Sequence, residues 1–149
     1  MSAEADIATY LKTDATLLAT LAGGIYTSAE VGREGITRET VPAAFDGDGY
    51  LLPCALVKQR GLTPDGVLVE QETPAASGAQ VVDIYVYEDT GYSSIDTALA
   101  RLRLLLLGHQ LANTFPLEWL GDLPRERDDG ALQGASMARQ EWLVVAVHS

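Results

Sequence analysis

Two histidines, one cysteine and a surplus of carboxylates are the residues of this 149-residue chain whose types could do chemistry. His109 and His148 could hold a metal ion with neighbouring carboxylates, but no HExxH-like spacing sets ligands on one helix face. His109 falls on an apolar helical stripe, where a satisfied core imidazole is the expectation, and His148 stands one residue from the end. Cys54 would be a nucleophile if a histidine approached it in space. Set between Pro53 and Ala55 in an apolar strand, it reads instead as a buried, inert thiol. Asp46-x-Asp48 opens like a calcium loop. The pattern then needs a third oxygen ligand, a glycine and a closing glutamate, and those places hold Tyr50, Leu51 and Val57. A tight turn is expected there. Gly23-Gly24 and Gly47/Gly49 are not phosphate cradles, because no lysine follows at P-loop spacing. No pair of carboxylates is marked by spacing as general acid and base. The expectation is a non-enzymatic chain with no metal and no cofactor.

The elements that would position these residues must come from an acidic but apolar chain. It carries 21 Asp+Glu against 10 Lys+Arg, a net charge of −11, yet 47% of it is hydrophobic, too apolar for a disordered acidic tail. Its length fits one domain over residues 1–149, large enough to hide roughly 70% of the unfolded surface without staples. A single cysteine excludes an internal disulfide framework. The acidity argues against generic nucleic-acid binding and against polybasic membrane attachment. MSAEADIATY lacks the basic and apolar regions of a signal peptide, and no apolar run approaches the ~20 residues that span a bilayer. A soluble protein made in a cytoplasm is expected.

Ile7, Tyr10, Leu11, Leu18 and Leu21 keep helical spacing around the interruption Lys12-Thr13-Asp14. This predicts two short helices, about 3–12 and 14–22, the second capped by Thr13 and ended by Gly23-Gly24. Residues 27–50 show no sustained period and predict a long meandering surface loop, with at most a short strand or helical turn near 36–44. Three strands are expected next, Leu52–Arg60, Val67–Thr73 and Ala79–Glu88, joined as an antiparallel meander through a turn at Gly61–Gly66. Ser93 and Asp96 have capping-box spacing before a helix whose stripe is Ile95, Ala98, Leu99, Leu102, Leu105, Leu106 and His109. Gly108 is a stop, or the helix runs on to Ala112. Phe115–Leu123 and Met137–His148 are the last strands, with a polar loop near 125–134. The order predicts an α+β fold: a mostly antiparallel sheet of about four or five strands, with the two short N-terminal helices and one long helix on one face.

Two features concern assembly. Leu104 and Leu107 fall off the helical stripe and widen its apolar surface. Burial between sheet and N-terminal helices is the favoured expectation, and cover by a partner is the alternative. The apolar strands at 81–87 and at the C-terminus also need their edges paired or protected.

The order of motifs resembles one family. Asp14, Ala15, Leu17, Leu18, Leu21, Gly23, Gly24, Ile25 and Tyr26 are similar to the opening "D-A-x-L-x-x-L … G-G-(R)-[IV]-Y" of tailed-bacteriophage tail-completion proteins. Pro53-Cys54-Ala55-Leu56-Val57 resembles that family's "P-[CY]-x-x-[VL]" strand, and Val82–Tyr87 its "V-x-[IV]-x-[VI]-Y" strand. Ala98–Leu105 matches a helix of pattern "A-x-x-[LV]-x-x-x-L", and Glu141–Val147 the closing strand. Residues 27–50 and 123–136 lie outside the likeness.

The resemblance implies a tail terminator of a long-tailed phage, prophage or tail-like particle. Such a protein forms a ring, expected here as a hexamer, that caps the tail tube and offers a surface to the head-side connector. The implied partners are further copies of the chain, the tail tube protein and the connector or stopper. DNA would pass through an acidic ring without specific binding, and no membrane is involved. The implied location is the neck of the virion, assembled in the host cytoplasm. Alternatives are another neck component such as a head-closure or stopper protein, a small hydrolase or ligand-binding domain, and an acidic partner of a basic toxin. Interface contacts are expected at loop tips, where rigid scaffolds meet: Arg33, Arg38, Asp46 and Asp48, then Asp65, then Arg125, Arg127, Asp128 and Asp129.

Overall fold

Helical spacing at the N-terminus becomes two helices, α1 (Ala3–Leu11) and α2 (Ala15–Thr20), in the computed structural model, which describes residues 3–60, 79–127, 132 and 134–145. Asp14, rather than Thr13, caps α2: its carboxylate accepts the Leu17 N–H at 2.8 Å. The Thr13 hydroxyl instead donates back to the Tyr10 carbonyl at 2.6 Å and helps close α1. The chain then enters β1 (Gly24–Thr27), a short strand not expected from the sequence, and α3 (Ser28–Val31). Thr27 and Glu30 form the reciprocal capping box that starts α3.

Among the described residues the sheet has six strands, in an α+β fold. Beyond β1 it contains β2 (Cys54–Gln59), β3 (Ala79–Glu88), β4 (Glu118–Asp122), β5 (Glu126–Arg127) and β6 (Ser136–Val145). The spatial order is β1-β2-β3-β6-β4, with β5 continuing beyond β4 along the same side of β6. Among the described residues the β1–β2 pair is parallel and the other pairs are antiparallel, as expected for most of the sheet. β2 pairs directly with β3, Val57 opposite Ile84, so no third strand stands between them as the meander required. The candidate strand Val67–Thr73 lies outside the described residues.

The long helix α4 (Ser93–Leu106) stops at Gly108, which holds a φ of +77° that glycine adopts without a side-chain clash. Its start differs from expectation. The Ser93–Asp96 box does not form; Glu88, at the end of β3, reaches over and accepts the N–H groups of Ser94 and Ile95 at 3.0 and 3.2 Å. A carboxylate at a helix N-terminus satisfies orphan donors and complements the dipole.

α1, α2 and α4 cover one face of the sheet. Ile7, Leu11 and Leu17 from the short helices and Ile95, Leu102 and Leu106 from α4 are buried against Val57, Ile84, Val86 and Trp142. Burying such side chains stabilises the fold by about 1.5–3 kcal/mol each. The opposite face is not left to water. Residues 28–52 fold over it, where a surface loop was expected over 27–50, through 3₁₀ turns at Gly32–Glu34 and Pro42–Ala44. They bury Val31, Ile36, Ala44 and Leu51 against Cys54, Leu56, Tyr87 and Met137. A segment without regular period therefore supplies a second, smaller core.

Candidate assembly interface

Cys54 and His109 are spent on structure. Cys54 is fully buried, and desolvation pushes its thiol up to about 12, away from a reactive thiolate. His109 leaves the helical stripe; its ring stacks on Tyr10 with centroids 3.6 Å apart, and Tyr10 donates to the Leu105 carbonyl at 3.1 Å. His148 lies outside the described residues. Among those residues no cluster of three or more His, Cys, Asp or Glu is arranged to hold a metal ion.

The surface carries two features that could engage a macromolecule. The first is the outer side of the helical layer. Leu104 and Leu107 are not buried, against the favoured expectation: Leu104, on α4, remains 69% exposed and Leu107, just past its end, 61%. Ala100 on α4 and Leu18 and Ala19 on α2 are exposed as well. The layer continues onto β4, where Trp119 stands opposite Trp142 and both Trp119 and Leu120 are exposed. Phe115, just before β4, is a further exposed aromatic. The turn after α4 runs alongside this strand through Gly108 N–H to Leu117 O at 3.2 Å and Leu117 N–H to His109 O at 2.8 Å.

A chain of polar contacts fixes this surface to the core. The buried Trp142 indole donates to Gln140 at 2.8 Å, and the Gln140 amide donates to Asp122 at 2.8 Å. Asp122 also accepts the Trp119 indole at 3.1 Å and pairs with Arg103 at 2.5 Å. The Arg103 guanidinium lies 5.6 Å from the centre of the Trp119 ring. Trp119 is thus exposed but held, the property of an anchor side chain.

Charge is cancelled on the same surface. Asp14 pairs with Arg101 at 2.7 Å, Asp122 with Arg103, and Asp96 with Arg125, whose guanidinium also lies over the Tyr92 ring. The Arg101 hydrogen bonds hold the Asp14 carboxyl below its usual range, against the opposing effect of burial, with the Leu17 N–H helping. Partly exposed pairs of this kind add little stability, because water screens them and the side chains lose freedom. Their larger consequence is that α2, α4 and the end of β4 carry no net charge on a chain whose total is −11.

The second feature lies across the sheet. A groove of about 570 Å³ opens between the 37–51 segment and Asp89, Leu132 and Ala135, with Phe45 and Leu51 in its wall and Tyr50 62% exposed at its rim. Its loop is held locally. Arg38 donates twice to the Gly49 carbonyl, at 2.6 and 3.2 Å, and Asp46 accepts the N–H groups of Asp48 and Tyr50, both at 2.9 Å.

The structure distributes the expected interface residues over separate places. Arg38 lines the groove, Asp46 and Asp48 lie in the turn beside it that Arg38 holds through the Gly49 carbonyl, and Arg33 sits exposed on the preceding 3₁₀ turn. Arg125 is tied to Asp96, and Arg127 donates to the Gly134 carbonyl at 2.9 Å. Asp65, Asp128 and Asp129 lie outside the described residues. Trp119, Leu120, Phe115 and Tyr50 were not anticipated. The one available signal was the off-stripe position of Leu104 and Leu107.

The fold has a counterpart among solved structures. It matches a chain from the virion of a native gene transfer agent particle, with a TM-score of 0.60 over 97% of this chain and 94% of that one. The two are 17% identical, so what they share is the fold. No family model matches the sequence, and no curated relative does. No helix among the described residues is long and apolar enough to cross a membrane.

Proposed function

We propose that this protein is a structural component of a phage-like virion, and within it the tail terminator, a ring that caps the tail tube and joins it to the head-side connector. The observation that carries the reading is the near full-length fold likeness to a chain of a gene transfer agent virion. The motif order of tail-completion proteins in the sequence supports the finer role. The exposed, charge-cancelled apolar surface supports assembly, because extended exposed apolar patches mark interaction sites. The role is steric and non-enzymatic: a closed ring of head-to-tail contacts ends polymerisation by symmetry and presents a new surface to the next component. The exposed charged residues Arg33, Asp48 and Arg127 suit the contacts above and below such a ring, where charged groups set orientation and partner choice.

Native mass spectrometry of the protein alone and with its tail tube protein, followed by negative-stain imaging, tests this reading. Rings, free or seated on tube ends, are expected. A chain that stays monomeric and never engages a tube overturns it. Stabilisation by a small molecule would then point to the groove, whose volume suits a ligand.

A further inference from the structure

We infer that the contact closing the ring is head-to-tail between copies of this chain, with the apolar outer side of α2, α4 and β4 on one copy seated in the Phe45–Tyr50 groove of the next. This rests on the ring reading above and specifies which two surfaces meet.

Three observations lead there. The first is electrostatic. Two chains that each carry −11 repel one another at any face holding its share of that charge. At physiological salt, charges screen over only about 8 Å, so the charges at the contact itself decide. The helical side is where Asp14, Asp96 and Asp122 are each neutralised by an arginine. A basic partner would be drawn to the acidic remainder of the surface instead. The neutral side therefore fits a like-charged neighbour, and the like-charged neighbour in a homomeric ring is a second copy.

The second observation is shape. Leu104, Leu107 and Trp119 project from one side of the sheet. The groove belongs to the smaller core on the other side; Phe45, Leu51 and Leu132 give its wall an apolar part, and Arg38, Glu39 and Asp89 a charged part on which Arg38 offsets one of the two carboxylates. A projecting surface and a receiving one on opposite sides of one sheet make a heterologous contact, the kind that generates rings larger than two. A two-fold dimer would need one self-complementary patch.

The third is the edge. Among the described residues β4 has β6 as its one strand neighbour, and the turn after α4 bonds only Leu117, just before it, so the outer edge of Glu118–Asp122 has no strand partner there. The register shifts between Trp119 and Gly121, a bulge at Leu120. Bulges twist an edge away from strand addition. The copies therefore meet through side chains and not by extending the sheet.

The test uses the full chain and three variants, followed by sedimentation velocity and native mass spectrometry, with circular dichroism to confirm folding. Leu104→Glu/Leu107→Glu spoils the projecting side, and Tyr50→Glu spoils the groove; all three residues are more than half exposed, so the fold is retained. Lys12→Glu changes the net charge by the same two units as the leucine pair but touches neither surface. Wild type and Lys12→Glu are expected to assemble, unchanged or more strongly as salt rises. Each surface variant is expected to lose assembly at least tenfold. Mixing the two surface variants is expected to restore a single 1:1 pair, because each still carries one intact surface. Surface variants that assemble like wild type, on their own or as rings on tube ends, overturn the proposed contact while leaving the ring reading in place. Self-pairing of Tyr50→Glu through the helical side overturns the head-to-tail arrangement, and so does a mixture that stays monomeric. Wild type that is monomeric both alone and with the tube overturns the ring reading itself. A monomer whose leucine variant loses only tube binding assigns the helical side to the tube protein instead of a second copy.

Discussion

Replacing Glu4 by alanine removes the acceptor at a junction of three elements. Glu4 is 6% exposed, on the first turn of α1. One carboxylate oxygen accepts the Ser28 hydroxyl at 2.8 Å and the Gln59 N–H at 2.8 Å; the other accepts the same hydroxyl at 2.7 Å and the Ala29 N–H at 3.2 Å. The carboxylate thus ties α1 to the start of α3 and to the end of β2. Without it, the Gln59 N–H is left beside the core at a cost of about 1–3 kcal/mol. The Ser28 hydroxyl turns toward water or another acceptor at a further cost of about 1 kcal/mol. Together these give about 2–4 kcal/mol, a fall in Tm of roughly 4–15 °C for a chain of this size. Glu4→Gln keeps one oxygen for Gln59 but sets an amide against the Ala29 N–H, so about 1–2 kcal/mol is expected. Urea denaturation gives the ranking, and hydrogen exchange at Gln59 and across residues 28–31 locates it. An alanine variant within 0.5 kcal/mol of wild type, or one whose extra exchange spares those residues, would refute the reasoning.

Three further outcomes are expected. Ser136 has a fully buried hydroxyl without a hydrogen-bond partner, so Ser136→Ala should raise stability by about 1 kcal/mol and Tm by roughly 2–4 °C; a lower Tm counts against it. Gly23→Ala would set a Cβ 2.9 Å from the Leu52 carbonyl oxygen, 3.0 Å from that of Pro53 and 3.1 Å from the Cys54 Cβ, so the start of β2 must shift; a loss of about 1–3 kcal/mol is expected in denaturant titration, and a neutral result would show that the two segments yield freely. Asp14→Asn keeps an N-cap but loses the ion pair with Arg101. The Asp14 carboxyl is held below its usual range, chiefly by Arg101. Its contribution is therefore present above the unfolded value of about 4 and lost as pH falls through the lower folded one. The gap in urea midpoint between wild type and variant should be steady above about pH 4 and shrink below it; a gap unchanged in strong acid would contradict the assignment.

Much of the framework was legible because it is local. The spacing of Ile7, Leu11 and Leu17, the alternation Val82, Ile84, Val86 and the stripe Ile95 to Leu106 each encode an element within a few turns or pleats. The caps were less legible. Asp14 displaced Thr13, and Glu88, five residues before α4, displaced the Ser93–Asp96 box, because a cap is decided by which oxygen reaches the free N–H groups. The strand β1 was missed because a four-residue strand gives almost no period, although the Thr27-x-x-Glu30 box beside it was a usable sign. The candidate interface was legible only as an anomaly. Leu104 and Leu107 were visibly surplus to the stripe, but their spacing reads the same whether the outer side of the helix is covered or open.

The sequence alone determined an acidic α+β chain with helices on a mostly antiparallel sheet, since composition and periodicity act over short distances. Tertiary structure alone decided three things. Residues 28–52 close the second face of the sheet, because apolar residues without period are buried wherever a complementary surface exists. Asp14, Asp96 and Asp122 find arginines distant in the chain, because ion pairing depends on separation in space. An apolar, charge-cancelled surface then stays in water on one side of the sheet while a groove opens on the other, because exposure belongs to the packed whole and to no single segment.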